Sequence, residues 1–327
     1  MAKRHSVHPL TSRLRVRLLP GGTASVQHEG SRMDPSSRGG VTLAGALAAH
    51  RGPTPVFSGG PRRLPIVTDV LAVANQKGGV AKTTTVHSLG VASAELGRRT
   101  LVVDLDPQAC LTFSLGFDPD GLERSLHDVF VRRLDVEEVL LPVPGVPGLD
   151  LLPATIDLAG SEVHLLTRTG REHVLARALE PVHEQYDLIL IDCPPSLGVL
   201  TINGLTAANS VLIPLQCEAL SHRGVGQLLE TIADVRAFAN SAITVRGVIA
   251  TMYDDRTKHS RHIFEEVQTR YGIPVLQPPV RKSIRFAEAP ARGKSILQHA
   301  PNSPGAQAYR ALAAVLAEPS VVAGTSG

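Results

Sequence analysis

From about residue 70 onward, short apolar runs alternate with longer stretches in which apolar residues recur at helical spacing. The apolar runs, each of which predicts a strand, are Val70–Ala74, Thr100–Asp104, Leu149–Leu152, Leu188–Ile191, Val211–Pro214, Gly247–Thr251 and Val275–Leu276. The stretches with helical spacing are Lys82–Leu96, Glu172–Glu180, Arg223–Phe238, His259–Arg270 and Pro304–Ala317. Strands that are apolar along their whole length must be covered on both faces. The alternation therefore predicts an α/β fold, with a mainly parallel twisted sheet and helices on both of its faces.

Residues 1–66 break this pattern, because they are rich in glycine, proline, serine and arginine. They hold 10 Lys and Arg against 2 Asp and Glu, and their one predicted helix is short, at Val41–His50. Burial of so little apolar surface would not compensate for the conformational entropy that folding costs. This composition therefore predicts a disordered basic extension. This extension is either a basic arm or sequence ahead of a start near Val67. The predicted organisation is the extension, one folded domain over residues 67–320 and a flexible tail over 321–327.

Composition narrows the class of protein. Hydrophobic residues make up 43% of the chain and charged residues 19%, as in an ordinary globular core. No apolar run approaches the length of about 18 residues that predicts a membrane-spanning helix. The three cysteines, Cys110, Cys193 and Cys217, are far apart and lack metal-ligand spacing. They are interpreted as reduced thiols, and nothing in their spacing supports a metal site built on cysteine.

The residues from Lys77 to Thr84 form a glycine-containing loop between a predicted strand and a predicted helix. Glycines let backbone N–H groups converge on phosphate oxygens, and the helix N-terminus adds its partial positive charge. Lys82 can reach the terminal phosphates, and the Thr83 hydroxyl is placed for Mg²⁺. The loop departs from the plain P-loop pattern and follows KGGxxK[ST] instead. The sequence therefore predicts a nucleotide phosphate site of an unusual kind.

This loop pattern and its surroundings resemble the ParA/Soj-type partition ATPases, members of the ParA/MinD group of P-loop ATPases with a deviant Walker A loop. The resemblance covers about residues 70–317, and its most specific stretches are 75–77, 101–108, 186–196, 251–257 and 285–290. It implies a P-loop NTPase-like single domain that binds ATP and Mg²⁺ and hydrolyses ATP slowly. The implied phosphate cradle consists of Lys77, Gly78, Gly79, Val80, Ala81, Lys82, Thr83 and Thr84.

Catalytic and metal roles also follow from the resemblance. Lys77 looks like the signature lysine that reaches across a dimer to the partner's nucleotide, where a second cation would stabilise transition-state charge together with Lys82. Asp106 matches the aspartate that positions the attacking water. Asp192 ends an apolar strand, as a Walker B aspartate does, and would hold Mg²⁺ with Thr83. Asp104 lies two residues before Asp106 and is either a further group near the metal or a cap.

A basic region lies late in the chain, where residues 246–310 hold 11 Lys and Arg against 5 Asp and Glu. The resemblance assigns non-specific DNA binding to positions in this region, and phosphate contacts of that kind need only positive charge. The candidate DNA-binding residues are Arg256, Arg285, Lys258, Arg281, Lys282 and Arg292. The alternative is a solvated charged face. Residues 280–283 depart from the family's loop beside the adenine, so the base contacts stay open.

The implied function is an ATP-dependent dimerising partition ATPase, acting in chromosome or plasmid segregation. Its implied partners are a second copy of the chain, non-specific DNA and a ParB-like protein that stimulates hydrolysis, in the cytoplasm at the nucleoid. A MinD-like ATPase that positions other cell components is the alternative, but it would need a basic amphipathic C-terminal helix. No Lys or Arg follows Arg310, so membrane binding is not expected. A nucleotide-binding regulator of low turnover is a further alternative.

Overall fold

The structure is a computed structural model, and it describes residues 68–216, 221–254 and 258–318 and two strands near the N-terminus. The side chains of those two strands and of residues 221–223 and 258–264 are not described. The chain divides into two units, Met1–Arg62 and Arg63–Gly327. In the first unit, β1 (Arg17–Leu18) pairs antiparallel with β2 (Ala24–Ser25). Apart from these strands, the predictions for residues 1–66, including the helix at 41–50, and for the tail at 321–327 lie outside the described residues.

Eight strands of the second unit form one sheet. They are β3 (Asp69–Val73), β4 (Thr100–Asp104), β5 (Leu141–Pro142), β6 (Leu149–Leu152), β7 (Leu188–Asp192), β8 (Ser210–Gln216), β9 (Thr244–Thr251) and β10 (Val275–Leu276). Their order across the sheet is β10-β9-β8-β3-β7-β4-β6-β5, and every neighbouring pair is parallel except β5 and β6. The mainly parallel sheet is therefore confirmed. Strand β5 was not predicted, because two residues that include a proline carry no strand pattern.

Helices connect the strands. They are α1 (Lys82–Glu95), α2 (Cys110–Ser114), α3 (Leu126–Val131), α4 (Leu158–Leu166), α5 (Val174–Leu179), α6 (Val199–Ala207), α7 (Ser221–Phe238), α8 (Lys258–Tyr271), α9 (Arg285–Glu288), α10 (Ile296–His299) and α11 (Pro304–Ala317). The five predicted helices are present, whereas the sequence pattern missed α2, α3, α4, α6, α9 and α10. Each of these has nine residues or fewer. So short a helix shows too few turns to establish a period. Among the described residues, no helix has both the length and the apolar character needed to cross a membrane.

The core lies on both faces of the sheet. Alternate residues of one strand enter different apolar clusters, as Leu71 does on one face and Ala72 on the other. Helix α1 packs closely over β4, since a Cβ atom at Gly90 would lie 2.8 Å from Val102 Cγ1. Helices on both faces are thereby confirmed, and α1 is fixed directly above the strands that carry the candidate site.

The strand register brings the carboxyl ends of three central strands together. Asp192, the last residue of β7, pairs with Val73 of β3 on one side and with Asp104 of β4 on the other. The loop after β3 therefore begins beside the two carboxylates. In open parallel sheets, ligands bind in the crevice outside these carboxyl ends.

Candidate nucleotide-binding site

The loop between β3 and α1 has the backbone shape of a phosphate cradle. Gly78 and Gly79 are exposed, and Gly79 takes a positive φ of 74°. Ala81, which precedes α1, is also left-handed at φ 68°, a conformation that costs alanine roughly 1 kcal/mol or more. No side chain caps the N-terminus of α1 at Ala81. The first N–H groups of the helix are thus not bonded by a capping side chain, as an anion-binding helix terminus requires.

Two polar side chains hold the loop in this shape. Asn75 accepts a hydrogen bond from the Lys77 N–H (3.0 Å) and donates to the Pro214 carbonyl (2.8 Å). Thr251, at the end of β9, donates to the Val80 carbonyl (3.0 Å). Because both residues are buried, these bonds are shielded from water. Their roles were missed from the sequence, since their partners lie far away along the chain.

Lys82 lies inside the site, with 7% of its surface exposed. Its Nζ is 3.3 Å from the Lys77 carbonyl, to which it donates. Burial lowers the pKa of Lys82, and the nearby Asp192 carboxylate opposes this shift. A buried ammonium group with one long hydrogen bond retains donors for a strong anionic partner. A phosphate group supplies such a partner.

Asp192 is the most unusual group of the site. It is 1% exposed, and among the described residues neither of its carboxylate oxygens has a hydrogen bond of good geometry, although the Thr83 hydroxyl is close enough to interact with it. Burial, and after it the Asp104 carboxyl, raises the pKa of Asp192 well above its usual range, while the Thr83 hydroxyl and Lys82 oppose this shift. A buried carboxylate is costly unless it is fully paired or binds a cation. The residues present therefore fit a magnesium ion held between Thr83 and Asp192.

Asp104 has a different environment. One oxygen accepts from the Asp106 N–H (3.2 Å), and the other accepts from the N–H (2.8 Å) and hydroxyl (2.7 Å) of Thr112. Thr112 also accepts a bond from the Ala154 N–H (3.0 Å). Burial raises the pKa of Asp104 to about 6, and these hydrogen bonds limit the shift. Asp104 thereby ties β4 to α2 and to the loop that carries Asp106.

Asp106 is half-buried and faces a cleft of about 1010 Å³. One of its oxygens accepts from the Gln108 N–H (2.9 Å). The cleft is also lined by Gly78, Gly79, Ala81, Lys82, Thr83 and Thr84, so it joins the predicted cradle to the predicted water-positioning aspartate. Lys77 is half-buried at the start of the loop and is not among the residues lining this cleft.

A second cavity, of about 250 Å³, borders the same loop. It is lined by Ala81, Thr84 and Met252 together with residues 280–283, the segment whose contact with the base was left open. Met252 has a positive φ of 50°, and a strained backbone of this kind is concentrated at functional sites. Residues 280–283 therefore stand directly beside the cradle.

The candidate DNA-binding residues are only partly described. Arg256 lies outside the described residues, and Lys258 begins α8 but has no described side chain. The other four, Arg281, Lys282, Arg285 and Arg292, are exposed. They fall on one segment, residues 281–294, which we call the basic segment. It also includes the exposed Lys294, which lines the cleft and was not identified from the sequence.

His87 lies on the wall of the same cleft, where α1 meets α2. Its Nδ1 is 3.0 Å from the Ser114 hydroxyl oxygen, and that hydroxyl donates to the Leu111 carbonyl (2.9 Å). The Ser114 hydroxyl thus links the His87 ring to the backbone of α2. Burial lowers the pKa of His87 from 6.5 to about 4, so the folded chain keeps this imidazole neutral.

This shift predicts a loss of stability in mild acid. Below pH 6.5 the unfolded chain binds a proton at His87 that the folded chain does not bind until about pH 4. Relative to pH 7, His87 should lower the free energy of unfolding at pH 5 by about 2 kcal/mol. His87→Gln should remove that loss, as measured by urea unfolding at both pH values, and the exposed His164→Gln should retain it. An undiminished loss in His87→Gln would contradict the assignment.

The parallel sheet, the glycine loop between β3 and α1 and the strand-end carboxylates define a P-loop nucleotide-binding protein. The family described as an AAA domain matches residues 68–245. The sporulation initiation inhibitor protein Soj of Bacillus subtilis is 44% identical over 244 residues, which are 75% of this chain and 96% of Soj. The chromosome partitioning protein ParA of Caulobacter vibrioides is 41% identical over 246 residues, 75% of this chain and 92% of that protein. The chain belongs to the ParA/Soj-type partition ATPases.

A solved structure from Mycobacterium smegmatis agrees with the ligands predicted for the site. It is named cobyrinic acid a,c-diamide synthase, and it contains an ATP analogue and magnesium. It is 52% identical to this chain, covers 76% of this chain and 94% of its own, and superimposes with a TM-score of 0.68. The predicted family and P-loop fold are thus confirmed, and ATP with Mg²⁺ is confirmed as the ligand pair of this type of site.

Proposed function

We propose that this chain is an ATP-driven partition switch, which dimerises with ATP, binds DNA non-specifically in that state and is released by slow hydrolysis. The observation that carries the proposal is the buried Asp192 carboxylate beside Lys82 and Thr83, with Asp106 facing the cleft that Lys82 and Thr83 line. A protein that only stored nucleotide would not need a carboxylate placed for water. The proposed cargo is a chromosome or a plasmid.

Each residue of the cradle has a proposed role. The N–H groups of Gly78 and Gly79 and of the α1 N-terminus bind phosphate oxygens, and Lys82 donates to the terminal phosphates. Thr83 and Asp192 hold Mg²⁺, with Asp104 positioning the adjoining loop. When bound there, Mg²⁺ would supply positive charge beside the phosphate oxygens.

Water activation is assigned to Asp106. Its carboxylate is half-buried in the cleft and bonded on one side only to Gln108, so it can accept a hydrogen bond from a water molecule. Lys77 is assigned to the nucleotide of a partner copy, because its side chain is not part of the wall of its own cleft. The site is then complete only in a dimer, which makes hydrolysis depend on assembly.

The base of the nucleotide is assigned to the cavity of about 250 Å³ beside the cradle. Ala81 and Thr84 border both this cavity and the phosphate cleft, so one ligand can span the two. Residues 280–283 then contact the base even though their sequence departs from the family's loop.

DNA binding is assigned to the basic segment and to Arg256 and Lys258. The five cations of the basic segment are all exposed, so they are accessible to phosphate groups. The one carboxylate of the segment belongs to Glu288, and its Oε2 forms a hydrogen bond with His299 Nε2 (3.1 Å). Dimerisation doubles the number of cations that act together, and two weak sites become one stronger site by effective concentration.

Arg285→Glu should abolish binding to duplex DNA while leaving ATP-driven dimerisation intact. The change replaces an exposed cation with an anion at the start of α9, outside the cradle. Fluorescence anisotropy of labelled DNA measures the first property and light scattering the second. Arg177→Glu, an equal change of charge at an exposed position on α5, is the control and should bind DNA within about threefold of wild type. Retained binding in Arg285→Glu would contradict the assignment.

The basic extension is a competing DNA element, because residues 1–66 hold 10 Lys and Arg against 2 Asp and Glu. Such a segment could bind DNA without nucleotide. A chain that starts at Val67 separates the two elements. If it keeps ATP-dependent DNA binding, the basic segment is supported; if it loses binding while full-length Arg285→Glu keeps it, the extension is the DNA element.

Partners and location follow from the same proposal. A ParB-like protein is proposed to stimulate hydrolysis, and the ATP state is proposed to reside on the nucleoid in the cytoplasm. Addition of such a protein should raise the rate of phosphate release from DNA-bound chain, and no change in that rate would contradict the partnership.

A ligase is a second candidate, because the Mycobacterium smegmatis relative is named as an amide-forming synthase. Cys110 lines the cleft, yet burial, and after it the Asp106 carboxylate, raises the pKa of its thiol. A raised pKa disfavours the thiolate that would release ammonia from glutamine. Stimulation of ATP consumption by duplex DNA would support the switch, whereas stimulation by cobyrinic acid with glutamine would support the ligase.

A further inference from the structure

A buried hydrogen bond joins the P-loop helix to the C-terminal helix. Tyr309 of α11 is fully buried, and its hydroxyl lies 3.0 Å from the Thr85 hydroxyl. Thr85 belongs to the first turn of α1, and its N–H donates to the Ala81 carbonyl (2.9 Å). Tyr309 therefore contacts the part of α1 that follows directly on the phosphate cradle.

The same tyrosine contacts the basic segment through Phe286. The two rings meet edge to face, with centroids 6.1 Å apart and planes at 81°. Phe286 follows Arg285 in α9 and lines both the cleft and the smaller cavity. A Cβ atom at Gly305 would lie 2.7 Å from the Phe286 ring, so only glycine there admits the ring in this position. Phe286 is thus confined between α11 and the nucleotide cavities.

These contacts form a continuous path of three side chains, Thr85, Tyr309 and Phe286, from the cradle to Arg285. Both contacts are directional, because the hydrogen bond orients the tyrosine ring and the edge-to-face contact orients the Phe286 ring. A shift of the first turn of α1 therefore changes the position that α9 prefers. The other buried tyrosine, Tyr186, donates to Asp150 (2.9 Å) and has no part in this path.

We propose that Tyr309 is a positioning residue, which couples the first turn of the P-loop helix to the basic segment through Phe286. This inference rests on the proposed function, because it explains how ATP in the cradle strengthens DNA binding at Arg285. Coupling between two sites is reciprocal. DNA should therefore raise the affinity for ATP by the same factor by which ATP raises the affinity for DNA.

The measurement is the ratio of DNA affinity with Mg-ATP to DNA affinity without nucleotide. Tyr309→Phe should lower this ratio about fivefold, the lower end of typical coupling. Thr85→Val should lower it equally, and the double variant should lower it no further than either single one. Thr85 lines neither cavity, so Thr85→Val should leave ATP affinity measured without DNA unchanged.

Tyr186→Phe is the matched control, since it also removes one buried hydroxyl. Tyr186→Phe should lower stability but keep the wild-type ratio. If the role of Tyr309 were merely structural, Tyr309→Phe would also keep that ratio. A wild-type ratio in Thr85→Val and Tyr309→Phe would overturn the coupling; if Tyr309→Phe does not fold, the ratio in Thr85→Val decides alone. A wild-type chain whose DNA affinity does not respond to ATP would instead contradict the proposed function itself.

Discussion

Lys82→Ala is expected to weaken ATP binding by about 2–3 kcal/mol, a loss of roughly 30- to 150-fold. The reason is the burial of the ammonium group: its surface is 7% exposed, and its one described hydrogen bond is long, at 3.3 Å to the Lys77 carbonyl. A charged donor in such a position forms a strong contact with phosphate. Isothermal titration with Mg-ATP measures the loss.

A matched lysine is available as the control for that experiment. Lys294 lines the same cleft but is exposed, so Lys294→Ala should change the ATP affinity by less than about threefold. Equal affinity of wild type and Lys82→Ala would contradict the assignment of the loop. Equal losses in the two lysine variants would show that only the general charge of the cleft matters.

Asp106→Ala is expected to lower the rate of ATP hydrolysis by at least about 100-fold while leaving ATP binding intact. The carboxylate faces the cleft and makes no bond to the cradle, so its loss should not disturb the phosphate site. The variant should therefore accumulate as the ATP-bound dimer. Phosphate release measures the first effect, and light scattering with ATP measures the second.

The control for this variant is another acidic side chain at the wall of the cleft. Asp120 is exposed there and lies in the short 3-10 helix Pro119–Gly121 that follows α2. Asp120→Ala should hydrolyse ATP within about twofold of wild type. Hydrolysis at the wild-type rate in Asp106→Ala would exclude this carboxylate from the reaction.

The cradle could be predicted from the sequence because it is local. Lys82 and Thr83 follow a strand and open a helix, and their spacing alone indicates a phosphate site. The position of Asp192 at the end of β7 could also be predicted, because this aspartate directly follows an apolar run. For these residues the prediction depends on neighbours along the chain, and the structure places Lys82, Thr83 and Asp192 next to one another.

The supports of the cradle could not be predicted in this way. Asn75 bonds to a carbonyl 139 residues away, and Thr251 bonds to one 171 residues away. Such pairs depend on the strand order and leave no local pattern. The environment of Asp104 was hidden for the same reason, because its partner Thr112 lies on a five-residue helix too short to show a period.

The closeness of the basic segment to the nucleotide site also could not be predicted from the sequence. Residues 280–283 differ from the family's loop, and only the fold shows them beside Ala81 and Thr84. The aromatic contact of Phe286 with Tyr309 likewise depends on how α9 and α11 pack. Contacts between segments that are distant in the chain therefore could not be predicted from the sequence.

The central claim is that ATP controls DNA binding, and one measurement tests it most directly. Full-length wild-type chain and a chain starting at Val67 are titrated onto labelled duplex DNA with Mg-ATP, with Mg-ADP and without nucleotide. The chain starting at Val67 should bind in Mg-ATP only, with a strong dependence on salt because neutralised phosphates release counterions. Equal DNA affinity in all three nucleotide states of that chain would contradict the account.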